Sequence, residues 1–180
     1  MKNPATPDWA AALGAFRGRI TERFFEPADE LVRLDEDKPR GTFGFAILAI
    51  DFLVLETLQG FREGEGDHHG KSKQLFVNFL SSWKAFTDLH GAVDVPGRAE
   101  QLYKSGRCAL HHSGSTDKIW VARRGPMVTF DNNDEVTLNR TAFHQNLKAA
   151  VEAYLTELVE IPNEQLRSNF VAKMKHITGV

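Results

Sequence analysis

From Phe43 to Phe61 the chain reads FGFAILAIDFLVLETLQGF, an almost unbroken apolar run. A helix that is apolar on nearly every side must be covered on nearly every side, so this segment decides the architecture around it. It carries Asp51, Glu56 and Gln59, and charges at mid-span are costly in lipid. Its uninterrupted apolar stretch also falls short of the about 20 residues a membrane span needs. The expectation is therefore the central helix of a soluble bundle, Phe43 to about Arg62, and no membrane partner. Carboxylates in such a helix need partners, because an unpaired buried charge is expensive. Asp51 is read as structural, and Glu56 as half of a structural buried pair or as a group able to orient Arg107 or a histidine.

The flanking sequence supplies further helices. Pro7-Asp8 opens a helical stretch to about Leu34, with Trp9, Leu13, Phe16, Ile20 and Phe24 stepping by three and four along one buried stripe. Pro27 is expected to break or kink it, and Arg33–Arg40 to form a loop. Glu63–Gly70, with three glycines and no apolar anchor, reads as a mobile loop. Gln74–Leu89 predicts a third helix, Gly91–Gly97 a turn, and Arg98 to about His112 a fourth helix. The period then changes. Ile119–Ala122, Met127–Phe130 and Glu135–Leu138 are short β-favouring runs around an Asp/Asn turn, which predicts a small β-hairpin insert. Asn139-Arg140-Thr141 caps a helix to about Glu160, and a last helix runs from Glu164 to about His176. The fold class is all-α with a small β-hairpin insert. It makes one domain over 1–180, with a core of about 9–116, the hairpin at about 117–138 and C-terminal helices at about 140–177.

With 22 basic and 24 acidic residues, the chain does not coat a polyanion by bulk charge, so any nucleic-acid site must be local. A single cysteine excludes an intrachain disulfide and a multi-cysteine metal site, and fits a reducing cytoplasm. Met1–Asp8 has one lysine and no apolar core, so no secretory signal is expected. Gly70-Lys71-Ser72 reads GKS, but Glu65 stands where a phosphate loop of the form GxxxxGK[ST] needs its first glycine, and no serine triad is present.

The richest chemistry lies in Arg107-Cys108-Ala109-Leu110-His111-His112-Ser113-Gly114-Ser115-Thr116. Arginine forks onto phosphate oxygens, and histidine exchanges protons near neutrality. Spacing alone pairs Arg107 with His111, four residues on, while Arg107 and His112 diverge by about 140° on an ideal helix. They converge only if the helix departs from ideal geometry or a second chain completes the site. A histidine at a helix C-terminus has its protonated form favoured by the macrodipole, which suits a general acid.

The stretch Tyr103–Thr116, with Arg107-x-x-x-x-His112, resembles the signature segment of HEPN-domain proteins. These are marked by an arginine, a polar residue and a histidine four to six positions beyond. The long second helix ending in Leu55-Glu56-Thr57-Leu58-Gln59-Gly60-Phe61 is also similar, and the resemblance spans about residues 9–120. It implies a HEPN-like helical bundle that dimerises. It further implies a metal-independent endoribonuclease of a toxin–antitoxin or defence system, with RNA and an antitoxin or defence protein as partners. Arg107 and His112 would be the catalytic pair, with His111 and Glu56 as helpers, and no cofactor or metal would be needed. Active relatives often carry Asn or Asp where this chain has Cys108, which favours the alternative of a non-catalytic nucleotide- or protein-binding module. A plain structural helical protein is a further alternative.

Lys104, Arg123 and Arg124 are candidate RNA contacts, since a basic patch beside an aromatic such as Trp120 suits single strands. His68-His69, with Asp67, could join His90, His111 or His112 around zinc or nickel, but the solvated-loop reading is preferred. His144 and His176 are expected at the surface.

Overall fold

The computed structural model describes residues 4, 6–90, 94–108, 110, 118–131, 133 and 135–179, the side chain of His90 excepted. The chain is mostly helical, with one small sheet.

The first stretch does not break at Pro27. Helix α1 (Pro7–Ile20), whose first turn is capped by Thr6, passes through a π-helical turn, Thr21–Phe25, straight into α2 (Glu26–Glu36). The Glu26 N–H bonds back five residues to the Thr21 carbonyl, so the turn widens just ahead of the proline. That widening gives the pyrrolidine ring room where a tight α-turn would clash. Phe16, Ile20 and Phe25 stay buried on one side.

Helix α3 (Gly44–Glu63) is the hub. By length and composition it could cross a membrane, with a mean hydropathy of 1.6, yet 67% of that window is buried against other elements. Its start is organised by Asp35 at the end of α2. The Asp35 carboxylate accepts the N–H groups of Thr42 (2.6 Å) and Phe43 (3.0 Å), and receives Nη2 of Arg140 at 3.0 Å. Burial raises the Asp35 pKa, but those donors outweigh it and hold the carboxyl below its usual value.

The third helix comes earlier and in two pieces, α4 (Ser72–Ser82) and α5 (Lys84–His90). Trp83 between them is extended, with its ring 5.3 Å from Phe143 and 5.2 Å from Phe79. Helix α6 (Val95–Leu102) begins within the predicted turn, because Pro96 falls in its first turn, where a missing N–H costs nothing. It runs on as a second π-helical segment, Tyr103–Cys108.

The β-region is a three-stranded mixed sheet, more than a hairpin. Strands β1 (Ile119–Ala122), β2 (Val128–Phe130) and β3 (Val136–Asn139) lie in the order β1-β3-β2. β3 pairs antiparallel with β2, as a hairpin would, and parallel with β1. β3 takes the centre because Val136, Leu138 and Asn139 are all buried. Asn139 then caps α7 (Arg140–Glu160), accepting from Thr141 and Ala142 N–H, and Asn163 caps α8 (Glu164–Thr178). The aromatic core draws on both ends of the chain. Phe170 of α8 lies 5.4 Å from Trp9, 5.9 Å from Phe16 and 5.7 Å from Phe61.

Candidate functional site

Gly106 shapes the segment that carries Arg107. A Cβ there would stand 2.8 Å from Ile119 Cδ1 and 3.2 Å from Phe52 Cε2, so only glycine lets the π-helical backbone close onto α3 and the sheet. In a turn of this type residues five apart share a backbone hydrogen bond, which departs from the ideal helix assumed in the spacing argument.

The arrangement brings two of the sequence candidates together. Arg107 donates through Nε to Glu56 Oε1 at 2.7 Å and through Nη2 to Oε2 at 3.4 Å. Ser72 Oγ donates to Glu56 Oε2 at 2.8 Å, and Tyr103 Oη donates to Ser72 at 3.4 Å. The Tyr103 ring also lies 6.0 Å from the guanidinium carbon. The Glu56 side chain is 8% exposed and that of Arg107 25%. Burial opposes the Arg107 charge, but the Glu56 hydrogen bond and charge outweigh it and hold the guanidinium above its usual pKa. Nη1 has no hydrogen-bond partner among the described residues. Arg107 and Glu56 border a cavity of about 300 Å³ with Leu53 and Leu110. Along α3 beside it runs an outward apolar row, Phe45, Ala49 and Leu53, at a spacing of four.

Other candidates are placed differently. His111 and His112 lie outside the described residues. Lys104 is exposed on the same π-helical segment as Arg107. Arg124 is exposed between β1 and β2. Arg123 has its guanidinium on backbone, with Nη1 donating to the carbonyls of Asp35 (2.8 Å) and Lys38 (2.9 Å), so it fastens the loop between α2 and α3. Trp120 is 63% exposed and donates through Nε1 to Glu135.

Two histidine expectations need correction. His144 is fully buried. Its Nδ1 lies 2.7 Å from Asp51 Oδ1 and its Nε2 3.2 Å from Asp29 Oδ1, and Asp29 also takes Lys148 Nζ at 2.6 Å. Burial alone would lower the His144 pKa, but the carboxylates outweigh it and the imidazole is held above its usual value. Burial pushes Asp51 up to about 6. His68, expected in a solvated loop, is half-buried with Nε2 2.9 Å from Lys173 Nζ. His69 is exposed, as is His176. Among the described residues no group of three or more His, Cys, Asp or Glu comes together as a metal site.

Lys173 and Ser72 were not among the sequence candidates. Lys173 had a signal, since Leu166, Phe170, Lys173 and Ile177 step by four, three and four along the inward stripe of α8. His144 had one too, three residues before Leu147 and seven before Val151. Ser72 had none, because its partner lies on another helix.

No family model matches the chain, and no curated protein or solved structure proves similar to it.

Proposed function

We propose that this chain is a HEPN-type, metal-independent endoribonuclease that acts as a homodimer, with Arg107 and His112 as its catalytic pair. The observation that carries the reading is the state of Arg107. A nearly buried carboxylate holds two of its nitrogens, and the third has no hydrogen-bond partner among the described residues, at the lip of a cleft. A charged fork fixed in advance, with donors to spare, suits phosphate and the charge that develops on it during transfer.

RNA brings its own nucleophile. The 2′-hydroxyl attacks phosphorus and loses its proton to a base, the P–O5′ bond breaks, and His112 delivers a proton to the departing 5′-oxygen. The products carry 2′,3′-cyclic phosphate and 5′-hydroxyl ends. His111 stands as the candidate base, and Glu56 positions Arg107. The outward apolar row of α3 beside the cleft supports a second copy at this face, which would bring two Arg107 side chains toward one groove.

The test is cleavage of single-stranded RNA by purified protein in EDTA, with the ends analysed. Cyclic-phosphate ends that vanish in Arg107→Ala and in His112→Ala support the assignment. Full activity in either variant would overturn it. Because Glu56 neutralises Arg107, the rival reading is a non-catalytic binding module. RNA binding without cleavage, weakened by Arg107→Ala, would establish that rival instead.

A further inference from the structure

A second cavity, of about 490 Å³, lies on the other side of Leu53, which lines both. Its size is within the about 300–1,000 Å³ range of small-molecule sites. Four basic side chains line it, Arg19, His68, Lys173 and His176, together with the hydroxyl-bearing Thr57, and no carboxylate does. The other four cavities described each include one: Asp35, Glu157, Glu56 and Glu160.

The cationic lining is built rather than incidental. Lys173 is 5% exposed, and its Nζ donates to the Gly66 carbonyl at 2.8 Å and to His68 Nε2 at 2.9 Å. An ammonium has three donors, so one remains. His68 lies directly over Gly60 of α3, where a Cβ would come within 2.2 Å of Nε2. The nearby carboxylates also have other partners: Glu56 holds Arg107 and Ser72, Glu65 takes Lys71 Nζ, and Asp67 accepts the His69 N–H. Arg19 forms no ion pair among the described residues. Burial first, and then the neighbouring ammonium, holds His68 below its usual pKa against the pull of Glu56, Glu65 and Asp67, and burial does the same to Lys173 against Glu65 and Asp67.

We propose that this cavity is a phosphate-binding subsite, taking either the phosphate of a free mononucleotide or a backbone phosphate of an RNA strand that also reaches Arg107. The strand form rests on the ribonuclease reading, and the mononucleotide form does not. Glu56, which holds Arg107, and Gly60, beneath His68, are four residues apart on α3, about 6 Å along its axis. Consecutive nucleotides of one strand span such a step, and Leu53, three residues before Glu56, lines both cavities. Phe24 and Phe61 in the same cavity supply an apolar wall for a base.

The test follows the imidazole resonances of histidine-labelled full-length protein during titration with inorganic phosphate, AMP and a short 2′-O-methyl oligonucleotide, which lacks the attacking hydroxyl. His68 and His176 should shift saturably, and His69 should not. Lys173→Met should weaken the binding about tenfold, as expected for one charge-assisted contact. Because Lys173 also holds the Gly66 loop, Arg19→Ala, at an exposed position, serves as the second variant and should weaken it in the same direction. Saturation by phosphate and AMP assigns a free nucleotide, and saturation by the oligonucleotide alone assigns the strand. No shift with any of the three, or affinity in both variants unchanged from the parent protein, overturns the subsite. Protein that binds phosphate here without cutting RNA would sink only the ribonuclease reading. Protein that cuts RNA with His68 unmoved would sink only the subsite.

Discussion

Helix α3 carries two acid–base pairs five residues apart, and they differ in their access to water. Asp51 faces His144, both fully buried, with Asp29 and Lys148 completing a chain of charges between α2, α3 and α7. Glu56 faces Arg107, and that pair opens onto a cleft, with the arginine side chain a quarter exposed. Each pair gives a partner to a carboxylate in the apolar helix, fully for Glu56 and at one oxygen for Asp51, whose Oδ2 is buried without a hydrogen bond among the described residues. Among the described residues, only the second leaves a donor without a partner and facing a cleft. A sealed pair can contribute to folding alone, whereas a pair at a surface can exchange partners.

The sharpest way to break this contrast is to remove one base from each pair. His144→Ala leaves Asp51 buried without its partner and should cost about 3–5 kcal/mol in chemical denaturation. A loss below about 1 kcal/mol would mean that the sealed pair contributes little. Arg107→Ala should reverse the pattern. RNA cleavage should fall by about 10²–10³-fold, as when one charge-stabilising donor is lost, with a smaller stability loss than in His144→Ala, because Glu56 keeps the Ser72 hydroxyl and borders the cleft. If the protein instead unfolds, Arg107 belongs with His144 as a structural group.

A milder change addresses the positioning role of Glu56. Glu56→Gln keeps the shape but weakens the charge-assisted hydrogen bond to Arg107, and kcat should fall about tenfold with KM nearly unchanged. Equal changes in both parameters would place Glu56 in substrate binding. The smallest effect is in pH. A base whose folded pKa lies above its free value stabilises the fold only while protonated. For His144 that contribution is complete below 6.5 and is lost as pH rises through its higher folded value. Ionisation of Asp51, raised from 3.8 to about 6, acts in the same direction over that lower interval. The melting temperature should therefore decline from about pH 6.5 upward, and His144→Asn should flatten that slope. Identical slopes would show that His144 does not titrate with folding.

The sequence made α3 legible because a run apolar on every side has few places to go, and it offered Glu56 as a group that could orient Arg107. How they meet was less accessible, since nothing in either segment states that a π-helical turn at Gly106 would bring them within 2.7 Å. Pro27 misled for a related reason, because a widened turn absorbs a proline that an α-turn cannot. His144 was misplaced because a polar residue on an amphipathic helix was taken to lie on its outer face, although Leu147 and Val151 share its side. The sheet order escaped because nearest-in-sequence pairing suggests a hairpin, whereas burial of both Val136 and Leu138 draws β3 between its neighbours. Whether His111 and His112 reach Arg107 lies outside the described residues.

The aromatic cluster has a consequence for how the chain comes off the ribosome. Trp9, Phe16 and Phe61 all pack on Phe170, so the faces of α1 and α3 lack their covering ring until that late residue has been made. At synthesis rates of about 5–20 residues per second, the interval between Phe61 and Phe170 lasts about 5–20 seconds. During that interval the most apolar helix in the protein is present without its lid, a window in which a chaperone would have something to hold.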